Sequence, residues 1–114
     1  MKYNVTREEA LARRQTGKRA YELLTKDNGC VNGCRSGITV YDNDEFPEQY
    51  GSHEDQEGFY VIEGEGFARV GDEEFSIKTG DSFLAPAGVR HTIKCIKGGS
   101  VTVLWFHAAC GMER

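Results

Sequence analysis

From Gly37 onward the chain is cut into short apolar or alternating runs: "GITVYD", "GFYVIEG", "GFARVG", "EEFSIKTG", "DSFLAPAG", "RHTIKCI" and "SVTVLWFHA". Nearly every run is bounded by Gly, Asp, Asn or Pro. This is the spacing of an antiparallel sandwich or small barrel. Fourteen glycines against two prolines fit tight turns between such strands. Gly71-Asp72 in "VGDEEF" sits at an expected hairpin tip.

The first part of the chain has a different texture. "TREE" offers Thr6 as a helix N-cap with Glu9 three residues on, a capping-box pattern. Ala10, Leu11, Ala20, Leu23 and Leu24 supply apolar positions, and Gly17 interrupts them. One or two short helices are therefore expected between Arg7 and Leu24. "KDNGCVNGC" carries two Asn-Gly turns. The basic cluster "ARRQTGKR" reads as a solvated helix face, with a docking surface for a second subunit as the sharper alternative. The expected division is an N-terminal helical extension and turn segment over residues 1–35 and a barrel over 36–110. At 114 residues the chain suits one domain and can bury a core without metal or disulfide help.

A net charge of −4 argues against non-specific nucleic-acid binding, which needs a basic surface. No apolar run is long enough to span a bilayer, and "MKYNVTREEA" has no signal-peptide core. The expected location is cytoplasmic, with no nucleic-acid or membrane partner. Cys30, Cys34, Cys95 and Cys110 are then expected as reduced thiols. "CVNGC" has a spacing that zinc pairs permit, but no second pair follows at finger spacing. A redox or metal site of Cys30, Cys34 and Cys110 requires those thiols to meet in space.

The stretch "YGSHEDQEGFYVIEGEG" places His53 four residues before Glu57. On one straight strand the two would lie about 13 Å apart, too far for one ion with ligand bonds of roughly 2 Å. A reversal at Glu54–Gln56 would instead put them on neighbouring antiparallel strands, about 5 Å apart. These polar residues have weak strand preference. In "GDSFLAPAGVRHTIKC", Pro86 and Gly88 predict a sharp turn. His91 then opens a strand with Ile93 and Cys95 on its own face, the interior one. A histidine pointing into a β interior needs a hydrogen-bond partner or a metal. His53, Glu57 and His91 together form two histidines and one carboxylate, a set that suits non-haem iron, zinc or manganese.

These two segments resemble the two motifs of the cupin superfamily. Glu57, "GFYVIE" and Gly64 fit the second half of the first motif, and His53 precedes Glu57 by the right interval. Gly80, Pro86, Gly88 and His91 match the second motif in order and spacing. Two positions depart: Gly51 stands where the first motif has its leading His, and Cys95 where the second usually has Asn. The usual site has three His and one Glu, so this one is a ligand short. Either an extra position is open to water or substrate, as in the facial triads of cupin-type iron enzymes, or the site has weakened. Tyr50 and Gln49 could fill the gap, though neither is a favoured ligand. His107, ending "VLWFHAA", is expected as a satisfied histidine near the barrel mouth; its sharper role is a base beside the metal or a substitute ligand.

The resemblance implies an all-β, cupin-type jelly-roll barrel after the short N-terminal helices, and a homodimer paired through a sheet edge. It implies a divalent ion (iron, manganese, zinc or nickel) on His53, Glu57 and His91, beside a bound small molecule. The implied activity is that of a small-molecule metalloenzyme, an oxygenase or a lyase or isomerase. The alternative is a non-enzymatic module that binds or senses a small ligand with weak or absent metal. Phe59, Val61, Phe83, Ile93, Val103 and Trp105 read as core or pocket wall. Arg69 and Arg90 are candidates for an anionic substrate, but strand parity puts Arg90 outside.

Overall fold

The capping box at the start of the chain forms. Glu9 N donates to Thr6 Oγ1 at 3.1 Å, and Thr6 N donates back to the Glu9 carboxylate at 3.3 Å. The helix it caps, α1 (Arg7–Ala12), is only six residues long. The structure is a computed structural model and describes residues 1–17 and 19–108.

The helical expectation for the segment after Gly17 is not met. Ala20–Glu22 is a strand, β1, paired antiparallel with β2 (Arg35–Tyr41) through Tyr21 and Ile38. Gly17 takes φ +82°, a left-handed conformation that no helix interior adopts, so a helix cannot run through it. Beyond it an open edge of β2 offers unpaired backbone groups, and a sheet ladder satisfies them where a weakly periodic helix could not. Arg13 is the helix C-cap and donates from Nη2 to the carbonyls of Glu22 and Leu23, at 3.3 and 3.0 Å. Of the basic cluster, Arg13, Arg14 and Arg19 thus lie in turns and bends after the helix and not on a helix face. A 3-10 turn follows at Lys26–Asn28, closed by Gly29 at φ +100°.

Two of the expected runs, "GFYVIEG" and "GFARVG", are one fifteen-residue strand, β3 (Gln56–Val70). Its first half pairs with β7 (Val101–Ala108) and β5 (Ser82–Ala85), and its second half with β4 (Glu73–Lys78) and β6 (His91–Cys95). One sheet therefore runs β1-β2-β7-β3-β5 and the other β4-β3-β6, with β3 common to both. The transition is a one-residue bulge at Ile62, between Val61 and Glu63. Gly64 comes next, at φ +99°. A bulge bends the strand that carries it and re-aims the residues beyond it. The β3–β4 hairpin turns at Gly71-Asp72 as expected.

Strand parity fills the interior in layers. Val61 faces Val103, Phe59 faces Trp105 and Phe83, and Glu57 faces His107 and Ala85. Phe59, Val61, Ile93, Val101, Val103 and Cys95 are the largest fully buried side chains. Phe83 and Trp105 pack against them, partly buried. The apolar layers close one end, and the layer of Glu57 and His107 stands nearer the other. Among the described residues no helix is long and apolar enough to cross a membrane.

The bend at Gly64 is the most demanding backbone point. A Cβ there would strike the carbonyl oxygen of Ser100 and come within 2.9 Å of Val101 Cα, both backbone atoms. Gly64→Ala should therefore cost at least about 2 kcal/mol, read as a lower midpoint in urea unfolding. A loss under about 0.5 kcal/mol would show that the corner has slack.

Candidate metal centre

Three imidazoles converge on one carboxylate. Glu57 Oε1 lies 2.9 Å from His53 Nε2 and 3.1 Å from His91 Nε2. Glu57 Oε2 lies 3.5 Å from His107 Nε2. Glu57 and His107 are buried, and His53 and His91 are half-buried.

Each group arrives by a different route. Glu57 and His107 are cross-strand partners on β3 and β7. His91 opens β6 after a turn closed by Val89 N donating to Pro86 O at 3.1 Å, with Gly88 at φ +76°. That turn carries the chain from β5 in one sheet to β6 in the other, so His91 meets Glu57 from the opposite wall. His53 does not take the expected place on a strand beside Glu57. It lies in a loop before a bend at Glu54–Asp55. Gly88 N donates to His53 O at 2.8 Å and His91 N to Gly51 O at 3.4 Å, which lays residues 51–53 along the Pro86 turn. The reversal forms, but the neighbour it provides is the second motif.

The far side of each ring is also held by oxygen. His53 Nδ1 lies 2.6 Å from Asp55 Oδ1 and 2.8 Å from the Asp55 carbonyl. His107 Nδ1 lies 2.7 Å from Asp55 Oδ2. His91 Nδ1 lies 3.0 Å from the Val89 carbonyl. A carbonyl or carboxylate oxygen only accepts, so each Nδ1 carries hydrogen and donates. Each Nε2 then has two options beside Glu57: a second proton, or a lone pair on a cation. Metal-binding histidines are oriented by this kind of oxygen behind the ring. The donor set fits a divalent ion.

One ligand atom each from His53, Glu57 and His91 lies within 4.8 Å of the others, the separation one ion requires. His53, Asp55 and His107 form a second such group through the opposite ring edge. The structure thus brings together the three residues read as ligands and His107, the expected satisfied histidine or substitute ligand, and adds Asp55. In the sequence Asp55 reads only as part of the turn. Its signal is an acid two residues before Glu57, not separable by pattern from the acids around it.

Burial pushes the Glu57 carboxyl up, but hydrogen bonds from His91 and His53 outweigh it and hold the group below its ordinary range. The hydrogen bond from His91 to Glu57 raises the His91 pKa against an opposing burial effect. Burial, and then the Glu57 charge, push Tyr41 up to about 12, so its phenol keeps its proton.

The remaining candidates lie elsewhere. Arg69 pairs with Glu74 at 2.8 Å. Arg90 stacks on Tyr50, its guanidinium carbon 4.6 Å from the ring centroid, and donates to the Tyr50 carbonyl. Tyr50 is thereby engaged and Gln49 is exposed, so neither supplies the missing ligand. A Cβ at Gly51 would meet nothing within 4 Å. Cys95 is buried in the core. Cys30 and Cys34 do meet: Asn32 and Gly33, at φ 54° and 84°, turn the loop so that Cys34 Sγ donates to Cys30 Sγ at 3.4 Å. Cys110 lies outside the described residues.

A cavity of about 630 Å³ opens onto Glu57 and His107, walled by Thr39, Tyr41 and Trp105.

The family described as Cupin domain matches residues 38–107. No curated protein matches the sequence. Among solved structures, a cupin protein from Bacteroides fragilis aligns over 100% of this chain and 91% of its own, at 16% identity and TM-score 0.72. A predicted oxalate decarboxylase from Thermotoga maritima aligns over 80% of this chain and 79% of its own, at 20% identity and TM-score 0.68. Hydroxypropylphosphonic acid epoxidase from S. wedmorenis aligns over 78% of this chain, at 21% identity and TM-score 0.65. This chain spans 50% of the epoxidase's length. At these identities the likeness is one of fold.

Two outcomes test the geometry. Asp55→Ala removes the oxygen behind two rings and should weaken metal binding about 10–100-fold, read by competition with a chelating dye. An unchanged affinity would remove Asp55 from the centre. In the metal-free protein, His91's raised pKa contributes stability that is full below about pH 6.5 and lost as pH climbs through its folded value. Glu57's lowered pKa contributes stability that is present above about pH 4.5 and lost as pH falls through its folded value. Metal-free stability should therefore peak between these limits, and His91→Gln should flatten the alkaline side of a urea-midpoint profile.

Proposed function

This chain belongs to the cupin family, and from that premise we propose that it is a metalloenzyme holding one divalent ion through His53, Glu57 and His91. His107 stands in for the leading histidine that Gly51 replaces. The observation that carries this reading is the set of three Nε2 atoms aimed at one carboxylate, each ring locked from behind by an oxygen. In a non-binding protein this convergence costs desolvation and needs extra protons to hold it. A bound cation replaces those protons and turns the same contacts into ligand bonds.

The ion would supply Lewis-acid or redox chemistry to a small molecule in the adjoining cavity. Iron, manganese, zinc and nickel all suit the donor set. The iron form of the epoxidase shares the fold, which supports iron without selecting it. The residues of this chain divide the remaining work. Asp55 keeps the His53 and His107 rings in one tautomer. Tyr41 keeps a hydroxyl proton at the cavity wall, available as a hydrogen-bond donor to substrate. Phe59, Phe83 and Trp105 form the apolar layer next to Glu57 and His107 and would exclude water from that side. The reaction is an oxygenase or a lyase or isomerase step. The second reading, a non-enzymatic ligand-binding module, draws on one observation: the space beyond Gly51 is unfilled.

Reconstitution with each of the four metals, followed by elemental analysis, should give about one ion per chain in the wild type. His91→Ala should lose it, and His107→Ala should hold it at least about tenfold more weakly. A wild type that retains none of the four ions would end the metal reading. Oxygen uptake with a panel of small acids then separates an oxygenase from a lyase or a binder.

A further inference from the structure

We propose that the cavity over the metal centre takes an organic oxyanion, a flat apolar body with a carboxylate or phosphonate head, and that Arg35 grips the head. This deepens the metal-centre reading and rests on it only for the inner end of the bound molecule.

Strand register supplies the placement. Arg35 on β2 is the cross-strand partner of His107, which is in turn the partner of Glu57. Directly opposed residues share a face of the sheet, so Arg35 belongs to the same inward row as the metal centre. It is the outermost member of that row and is exposed at the mouth. The next row in from it holds Gly37, Trp105 and Phe59.

Packing fixes the apolar wall. The Trp105 ring lies directly on Gly37, where any Cβ would strike it. Trp105 Nε1 donates to Thr39 Oγ1 at 2.9 Å. The ring is thus held flat along the cavity, and the Arg35 guanidinium carbon lies 5.9 Å from its centroid. A guanidinium against an aromatic face keeps its hydrogen-bonding edge free for a planar anion.

Charge supplies the ligand class. Arg13 and Arg14 line the same cavity. Among the described residues no carboxylate forms an ion pair with Arg13, Arg14 or Arg35, whereas Arg19 and Arg69 pair with Asp42 and Glu74. Arg13 spends donors on two backbone carbonyls. The carboxylates of the lining are Glu22 and the inner Glu57, against three arginines. A chain of net charge −4 therefore concentrates unpaired positive charge at the entrance to its metal centre. The volume suits a metabolite-sized molecule.

Trp105 is the only tryptophan in the sequence, so its emission reports the cavity directly. Metal-loaded protein is titrated with benzoate, phenylphosphonate and neutral benzamide, with calorimetry in parallel. Benzoate or phenylphosphonate should bind at least about tenfold tighter than benzamide, as a charge-assisted bidentate contact implies. The stronger of the two identifies the headgroup. Arg35→Ala should bring that anion down to the benzamide level with metal content unchanged, and Arg14→Ala should weaken it less. Arg69→Ala, outside the cavity, should leave it as in wild type. Equal affinity for the anions and benzamide, no response to any of them, or an anion preference that survives Arg35→Ala would overturn the proposal. A protein that loads no metal fails the metal reading alone, and the same titration of the metal-free form still decides the role of Arg35.

Discussion

β3 must do what a straight strand cannot. From Glu57 to Val70 is thirteen residues, about 43 Å of extended chain. Yet His91, the cross-strand partner of Val70, lies 3.1 Å from Glu57. The strand closes that distance by bending at the Ile62 bulge and Gly64, leaving one sheet and entering the other. Two walls that share a strand in this way cannot slide independently. The separation of Glu57 from His91 is therefore set by the backbone of the barrel, and rotamer choice makes only the final adjustment. The bend thus brings groups from both walls to within hydrogen-bond distance, and the loop that carries His53 and Asp55 completes the set.

The arrangement is costly without a cation. Buried charge needs pairing, and paired burial rarely stabilises a protein more than apolar packing of the same volume would. The chain nevertheless places Glu57, His91 and His107 at inward strand positions that would accept Val or Phe, next to apolar layers, and lays His53 and Asp55 against them from a loop. In the metal-free state the hydrogen bonds from His91 and His53 hold Glu57 ionised despite its burial. The same contacts raise the proton affinity of His91. Those protons are what an entering ion would have to displace, so metal binding at these groups would be linked to pH.

Much of this is legible in the sequence wherever a local motif carries its own physics. Pro86, Gly88 and His91 specify a turn followed by an inward residue, and the structure contains both. Thr6 and Glu9 specify a cap, and it forms. The expectations that fail depend on partners distant in the chain. Ala20–Glu22 is a strand because the edge of β2 is there to pair with, a fact invisible from Ala20 alone. The backbone of the His53 loop pairs with the second motif, His53 O with Gly88 N and Gly51 O with His91 N, and not with β3. Asp55 looks like any acid in an acidic loop until two histidines are seen on its oxygens. Arg69 is a candidate for substrate in the sequence, and its side chain is engaged with Glu74; Arg90, which strand parity puts outside, lies on Tyr50.

The division between what is legible and what is not matches a division in the molecule. The family match covers residues 38–107, and every group around Glu57 lies within it. Arg13, Arg14 and Arg35 lie outside it, on α1's C-cap, the loop after it and the first residue of β2. The N-terminal segment reaches the barrel because β1 pairs with β2 and Arg13 ties the end of the helix to the carbonyls after β1. Barrel residues thus build the candidate centre, and the segment before them lines one side of the cavity that opens onto it. A centre of this kind is common to many chemistries on one fold. Of the groups that line the cavity, Arg13, Arg14 and Glu22 come from the part of the sequence that the family match leaves out, and Thr39, Tyr41 and Trp105 from the part it covers, so family membership alone does not fix what the cavity admits.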